Sequence, residues 1–469
     1  MIFSRSIVYY KMFLNRLDHM SKLKLAYSRS GKQLVIVYGP HGSGKTELIK
    51  QIIPFTRFVY LVPSGYNQRD VIHNLWKQVL RYGFNTIIKD EPKTPKDFFQ
   101  IFQEMAVSNR LLIIIDEFDF IQQYEPSLAH DFRIWWLGLP PSTNIMFLLI
   151  SPFSSVFETI SKRDRQNSLL PDLVLSLGPL KYRDSLPLVA GYLPKDAVIT
   201  YSVFGKYPDT LSKIAPDTAL QNLIKREILS QSGSLFDLPL KRLIAAGKHR
   251  NKCVSVLECI SNGIATPDDI SESISCNKEE VSQILTKVLL PLGFIEKSRP
   301  ILDSIHSRNF KYIIPDNFTR FWFRFVSPMR NDLLLGNQDK VLSMVTKEMN
   351  DFITPSFSEI AIQHLSLISG VNLNHPSLIG SWWSREGIID GVAIANEENK
   401  AYFMAAEWSD KPVNRDTLTS LIRKASLFPW KKSDRKDVLV LYSASGFRFD
   451  TDEALLVSLN RMQRDLDST

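Results

Sequence analysis

Eight consecutive residues carry the densest chemistry in the chain: Gly39-Pro40-His41-Gly42-Ser43-Gly44-Lys45-Thr46. They fit Gly, four free positions, then Gly-Lys-Thr, the spacing with which a glycine-rich loop cradles the phosphates of a nucleotide. Glycines let the backbone bend and approach anionic oxygens closely. Lys45 suits the β- and γ-phosphates, and the Thr46 hydroxyl suits Mg²⁺. A second group closes the apolar run at 111–115, where Asp116 and Glu117 follow at once. A carboxylate at the tip of a neighbouring strand holds Mg²⁺ in such proteins. The acid after it can orient or deprotonate an attacking water. Each stretch alone has a bland explanation, a glycine-rich turn or a strand ending in solvated acids. Together they reinforce one another. Asp119 reads as a helix-start residue rather than a third catalytic acid.

Elements must hold these residues in place. Residues 34–38 form a short Val- and Ile-rich run that reads as a buried strand, and 46–53 has helical spacing. Strand, loop and helix in that order is the context the phosphate-binding reading requires. A helical pattern precedes it, through residue 27. Further strands are expected at 58–62, 111–115, 145–150 and 172–177, and helices at 70–82, 95–107 and 127–137. Strands alternating with helices give an α/β fold with a parallel sheet covered on both faces. This P-loop domain spans 1–180. Ser151, just past the fourth strand, is a candidate γ-phosphate sensor; with Pro152 following, a plain loop-start serine explains it equally well. Arg163 and Arg165 offer guanidinium groups for an arginine finger, although a solvated loop is the simpler account and no spacing supports the finger.

Residues 181–235 lose strand character. Short helices at 186–193, 197–204 and 219–229 read as a lid, with Gly205-Lys206-Tyr207-Pro208 between two of them. Residues 236–328 read as a winged helix-turn-helix. Its helices lie at 253–261, 267–275 and 278–289, and its wing strands at 294–297 and 311–314. Thr266-Pro267-Asp268-Asp269 is a strong helix start. Lys248, Arg250 and Lys252 sit in a basic cluster and are candidate DNA contacts, with Lys297, Arg299, Arg308 and Lys311 adding charge at the wing. Glu279 and Glu280 open the helix that would face DNA, which favours protein packing as the rival role. Residues 329–469 show two strands, a helix and a strand, at 388–393, 401–406, 415–426 and 438–442. That is the core order of a restriction-endonuclease-like α/β domain.

The chain has 469 residues, 44% hydrophobic and 23% charged, a composition of folded rather than disordered protein. No apolar run reaches the ~18 residues of a membrane helix. Arg5, Lys11 and Arg16 break up the N-terminus, which lacks the apolar core of a signal peptide. A cytoplasmic location without membrane contact is therefore expected. Cys253, Cys259 and Cys276 are odd in number and lack metal-site spacing. The net charge of +8 permits nucleic-acid contact without requiring it.

Nearly end to end, the sequence resembles the archaeal ATPase family within the signal-transduction (STAND) P-loop ATPases, relatives of the AAA+ and origin-recognition proteins. Several stretches carry the likeness: Gly39 to Thr46 with Glu47-Leu48-Ile49, the acidic strand with Phe118, Gly205-Lys206-Tyr207-Pro208 as a lid motif, the run 312–326, Gly380-Ser381-Trp382-Trp383 and Glu407-Trp408-Ser409. In the lid motif Lys206 stands for a second glycine, and Gly205 and Pro208 become candidate lid contacts. The resemblance implies ATP with Mg²⁺ as cofactors, hydrolysis by a glutamate base, and an output half of winged helix plus nuclease-like domain. It alone favours ATP over GTP. DNA and unidentified proteins are the candidate partners. In nuclease folds of this type an Asp and a Glu-x-Lys share one metal site. Here Asp390 matches the Asp, but Ile388 replaces a usual Glu, Ala405 fills the second carboxylate position and Glu407 the lysine position. One acid cannot assemble a two-carboxylate site. Glu359 could add a carboxylate from the preceding helix, yet the lysine is missing. The domain is expected to cleave nothing. The rivals are a slow nucleotide-gated binding protein and an ATP-dependent nuclease.

Overall fold

The structure is a computed structural model that describes residues 16–53, 56–83, 90–106, 109–124, 126–152, 169–215, 218–375 and 377–468, with side chains at 122–124, 126, 245, 246 and 248 also left outside the description. The chain divides into two compact units, the first ending at Pro179 and also including residues 291–293, the second comprising the rest.

The first unit begins with α1 (Leu17–Ser28), β1 (Gln33–Tyr38) and α2 (Lys45–Lys50). It continues with β2 (Phe58–Leu61), α3 (Gln68–Leu80), α4 (Pro95–Met105) and β3 (Leu111–Ile115), then α5 (Phe118–Tyr124), α6 (Pro126–Gly138), β4 (Ile145–Ser151) and β5 (Leu173–Ser176). The five strands are all parallel, in the order β2-β3-β4-β1-β5. Burial on both faces explains why their sequences are nearly continuous apolar runs. Alternate residues serve opposite layers. Leu34 and Ile36 join Val71, Phe98, Phe102 and Phe132 of α3, α4 and α6 on one face. Val35 and Val37 join Leu23, Leu48 and Ile49 of α1 and α2 on the other. Helix α4 is set by a capping box between Thr94 and Asp97 with Pro95 in its first turn, so its start follows from three residues. The candidate fingers Arg163 and Arg165 lie outside the described residues.

The second unit opens with short helical turns. Where a helix over 186–193 is expected, only a 3₁₀ turn at Leu186–Leu188 forms, because Pro187 cannot donate and Gly191 ends the helical spacing. Helices α7 (Pro194–Phe204), α8 (Leu220–Ile224), α9 (Arg250–Ser261), α10 (Pro267–Ser273) and α11 (Lys278–Gln283) follow. A two-stranded antiparallel hairpin comes next, β6 (Glu296–Ser298) with β7 (Lys311–Ile313). Then come α12 (Asn317–Phe321) and the 32-residue α13 (Gln338–Ser369). A second sheet is built from β8 (Ile379–Trp383), β9 (Ile388–Ala395), β10 (Lys400–Glu407), β11 (Lys436–Ser443) and β12 (Ala454–Ser458), with α14 (Arg415–Ala425) between β10 and β11 and α15 (Leu459–Asp467) last. Its order is β12-β11-β10-β9-β8. The β8-β9-β10 part is antiparallel; β10, β11 and β12 run parallel.

Candidate functional site

The glycine-rich loop leaves the C-terminal end of β1, the end at which open α/β sheets bind ligands. Gly44 has φ +89°, the left-handed region that side chains with a Cβ rarely adopt, and it caps α2. The Lys45 ammonium donates to Gly39 O at 2.6 Å and Pro40 O at 3.1 Å, so it folds back across its own loop. Ser43 is buried, and among the described residues its Oγ finds no hydrogen-bond partner.

Strand β3 brings the acids to the same end. Asp116 N donates to Leu61 O at 2.9 Å, and Glu117 N donates to Asp116 Oδ1 at 2.9 Å. Thr46 Oγ1 donates to Asp116 Oδ2 at 3.4 Å, which joins loop and acidic strand across the intervening β4. Two cis oxygens on an octahedral Mg²⁺ with ~2.1 Å bonds lie about 3 Å apart. The Thr46 hydroxyl and Asp116 carboxylate, both hard oxygen donors, therefore fit Mg²⁺ with a shift of a few tenths of an ångström. The Tyr60 hydroxyl also donates to Asp116 Oδ2. Burial, then this bond, push the Tyr60 phenol well above its ordinary pKa, so it stays a proton donor.

Ser151 is the buried last residue of β4, and its Oγ donates to Asp119 Oδ1 at 3.2 Å. Burial raises the Asp119 carboxyl to about 6, with Glu117 adding to the rise and Ser151 and Lys45 opposing it. Asp119 does stand in the first turn of α5. It is also electrostatically tied to Lys45, which the helix-start reading alone did not anticipate. Tyr60 belongs to no motif, and its place beside Asp116 depends on β2 pairing with β3, which the sequence alone does not reveal. Pro40, His41 and Gly42 complete the loop, with His41 exposed.

The remaining candidates lie in the second unit. Gly205 follows α7, and Lys206 N donates to Asp316 Oδ1 at 3.2 Å. The buried Lys206 ammonium meets Glu359 Oε2 at 2.5 Å. Glu359 is thus committed to Lys206. Pro208 opens the short helical turn Pro208–Leu211. Arg250 donates to Leu240 O at 3.2 Å, Lys252 pairs with Glu280 Oε1, and the Lys248 side chain lies outside the described residues. The other cations behave differently: Lys297 Nζ lies 4.5 Å above the Phe310 ring and Lys311 Nζ 5.3 Å above Trp383. Asp390 Oδ2 accepts from Ala406 N at 2.9 Å. Burial raises the Asp390 carboxyl, with Lys424 opposing. Partial burial and the Asp390 charge raise Glu407, again with Lys424 opposing. Lys424 of α14 is the cation that sequence reading missed. It flanks the apolar stripe Leu418, Leu421 and Ala425, whose spacing was there to be read. Among the described residues, no group of three or more His, Cys, Asp or Glu could hold a metal ion.

Parallel sheet, glycine-rich loop and acidic strand together are the fold of a P-loop nucleotide-binding domain. Residues 28–151 match the family model described as AAA domain. Residues 322–419 match a family described as archaeal and bacterial proteins of unknown function. Among individual proteins, the chain is similar to an uncharacterized protein of Methanocaldococcus jannaschii, 25% identical over 431 residues that cover 89% of this chain and 92% of that one. A Walker-type ATPase of Pyrococcus abyssi shares the fold with a TM-score of 0.50 and 13% identity, over 66% of this chain and 95% of that one.

Proposed function

We propose that the protein binds and hydrolyses ATP with Mg²⁺, and that the nucleotide state of the first unit drives the second. One observation carries this reading: Thr46 Oγ1 and Asp116 Oδ2 stand 3.4 Å apart at the mouth of the glycine-rich loop, with Lys45 beside them. Lys45 and the loop from Gly39 to Thr46 hold the phosphates, Thr46 and Asp116 hold Mg²⁺, and Glu117 serves the attacking water. When bound, Mg²⁺ neutralises charge that develops on the phosphoryl oxygens. Ser151 reports on the γ-phosphate through Asp119.

The second unit is the output half. Its helices α9 to α11 with the β6-β7 hairpin form the winged helix, and its sheet a nuclease-like fold without nuclease chemistry. Ala405 offers no ligand, Glu359 is held by Lys206, and Glu407 stands where the lysine would be. Where DNA docks, Lys297 and Lys311 of the hairpin are the better-placed cations, because Lys252 already faces Glu280. The test is calorimetry with ATP, and ATP turnover with and without duplex and single-stranded DNA, on wild type and Lys45→Ala. Wild type should bind and hydrolyse ATP, and Lys45→Ala should do neither. Wild-type affinity in Lys45→Ala overturns the reading.

A further inference from the structure

We propose that Tyr60 is a positioning residue for the Mg²⁺-binding carboxylate Asp116, and that Tyr82 holds Tyr60 in place. The inference rests on the Mg²⁺–ATP reading of the P-loop site.

Strand parity sets the placement. Val59 and Leu61 of β2 point into the layer of α3, α4 and α6. Phe58 and Tyr60 point the other way, toward α2. Leu112 and Ile114 of β3 share that second face, so Asp116, two residues beyond Ile114, continues it. Tyr60 pairs in register with Ile114. A tyrosine there is long enough to pass the last turn of the strand and reach the acid, and its hydroxyl meets Asp116 Oδ2. The Thr46 hydroxyl meets the same oxygen. A carboxylate oxygen has two lone pairs. One suffices for the phenol and leaves the other for the metal that Thr46 shares.

The second tyrosine supplies the anchor. Strand β2 is an edge of the sheet. The outward N–H and C=O of an edge residue have no strand to bond. At Tyr60 one group serves both: Tyr60 N donates to Tyr82 Oη at 3.1 Å, and Tyr82 Oη donates to Tyr60 O at 3.2 Å. Tyr82 is itself fixed edge-on against Phe58, with ring centroids 5.6 Å apart. Position therefore passes from Tyr82 to the Tyr60 backbone, and from the Tyr60 hydroxyl to Asp116. Groups that orient a metal's ligands typically contribute 10- to 100-fold to metal affinity.

The experiment compares wild type, Tyr60→Phe and Tyr82→Phe. ATP binding is measured by calorimetry in EDTA and then across a Mg²⁺ titration. Tyr60→Phe keeps the ring and removes only the hydroxyl. Its affinity in EDTA should stay within about twofold of wild type, while the Mg²⁺ needed for half-maximal enhancement should rise about tenfold or more. Tyr82→Phe should move the Mg²⁺ midpoint the same way by less. Loss of EDTA binding equal to the loss in Mg²⁺ would make the role merely structural and overturn the proposal. So would a Mg²⁺ midpoint within twofold of wild type in both variants. A wild type that binds no nucleotide overturns the P-loop reading instead, so the two failures are distinguishable.

Discussion

Glu117 occupies a left-handed backbone, φ +54°, immediately after the strand that carries Asp116. A non-glycine residue there costs on the order of 1 kcal/mol or more, and such strain tends to gather at working sites. Its amide is held by Asp116 Oδ1, and its carbonyl accepts from Phe120 N at 2.9 Å, so the turn into α5 is fixed at both ends. The side chain is exposed, free to face a water. Glu117→Gln keeps the shape and removes the base. It should bind ATP as wild type does and lose turnover by at least about 100-fold. Turnover within about tenfold, under ~1.4 kcal/mol of barrier, would remove Glu117 from the role of base. Lys45, Thr46 and Asp116 were legible because their types and spacings recur wherever a loop grips phosphate. Tyr60 and Lys424 were not. Their roles come from neighbours on other elements, and a single sequence does not reveal which strand lies beside which.

At the scale of elements, the run 312–326 works as a clasp. Asp316 caps α12 through Thr319 N at 3.0 Å and also accepts Lys206 N. Arg320 donates to Phe352 O at 3.1 Å and Ser356 Oγ at 2.8 Å on α13, where burial lowers its guanidinium to about 10. Trp322 Nε1 donates to Phe236 O at 2.7 Å. This stretch of the family resemblance thus serves the packing of the second unit. Gly205 is its tightest fit, with φ +81°. A Cβ added there would lie 2.5 Å from Asp316 Oδ1 and 2.7 Å from the Phe318 Cβ. Gly205→Ala should therefore destabilise by about 2 kcal/mol or more, read as a lower denaturant midpoint of the second unit. Strands of the first unit were readable within a residue or two because burial on both faces makes them continuous apolar runs. The helix over 278–289 was less so. It is α-helical to Gln283 and widens into a π turn at Ile284–Leu289, a difference that periodicity does not resolve. The final strand β12 and helix α15 went unforeseen, since the charged stretch before them resembles a loop.

For the molecule as a whole, His364 makes stability depend on pH. It is fully buried on α13 of the second unit. Nε2 is 3.1 Å from Asp465 Oδ2 of α15, and Nδ1 is 2.9 Å from the Tyr442 hydroxyl of β11. The neutral ring satisfies both, donating to Asp465 and accepting from Tyr442. Burial lowers its pKa below the ordinary 6.5, outweighing Asp465, with Arg461 adding to the fall. A base with a depressed folded pKa contributes stability in full above its unfolded value and loses it as pH falls below about 6.5. The melting temperature should drop between pH 7.5 and 5.5. His364→Gln should be less stable at pH 7.5 yet show a flatter curve, so the two lines converge in acid. Parallel slopes would mean that another group is responsible. Among the described residues no helix is long and apolar enough to cross a membrane.

The position of β1 has one more consequence, for the order in which the chain is made. The glycine-rich loop precedes in sequence both neighbours of its strand, β4 at Ile145–Ser151 and β5 at Leu173–Ser176. A growing chain exposes the loop long before either neighbour leaves the ribosome. Until then β1 is an apolar strand with both edges bare, and distant pairings of this kind form slowly. The grip on nucleotide therefore matures only once the chain has been made through β5, well after the loop itself has emerged.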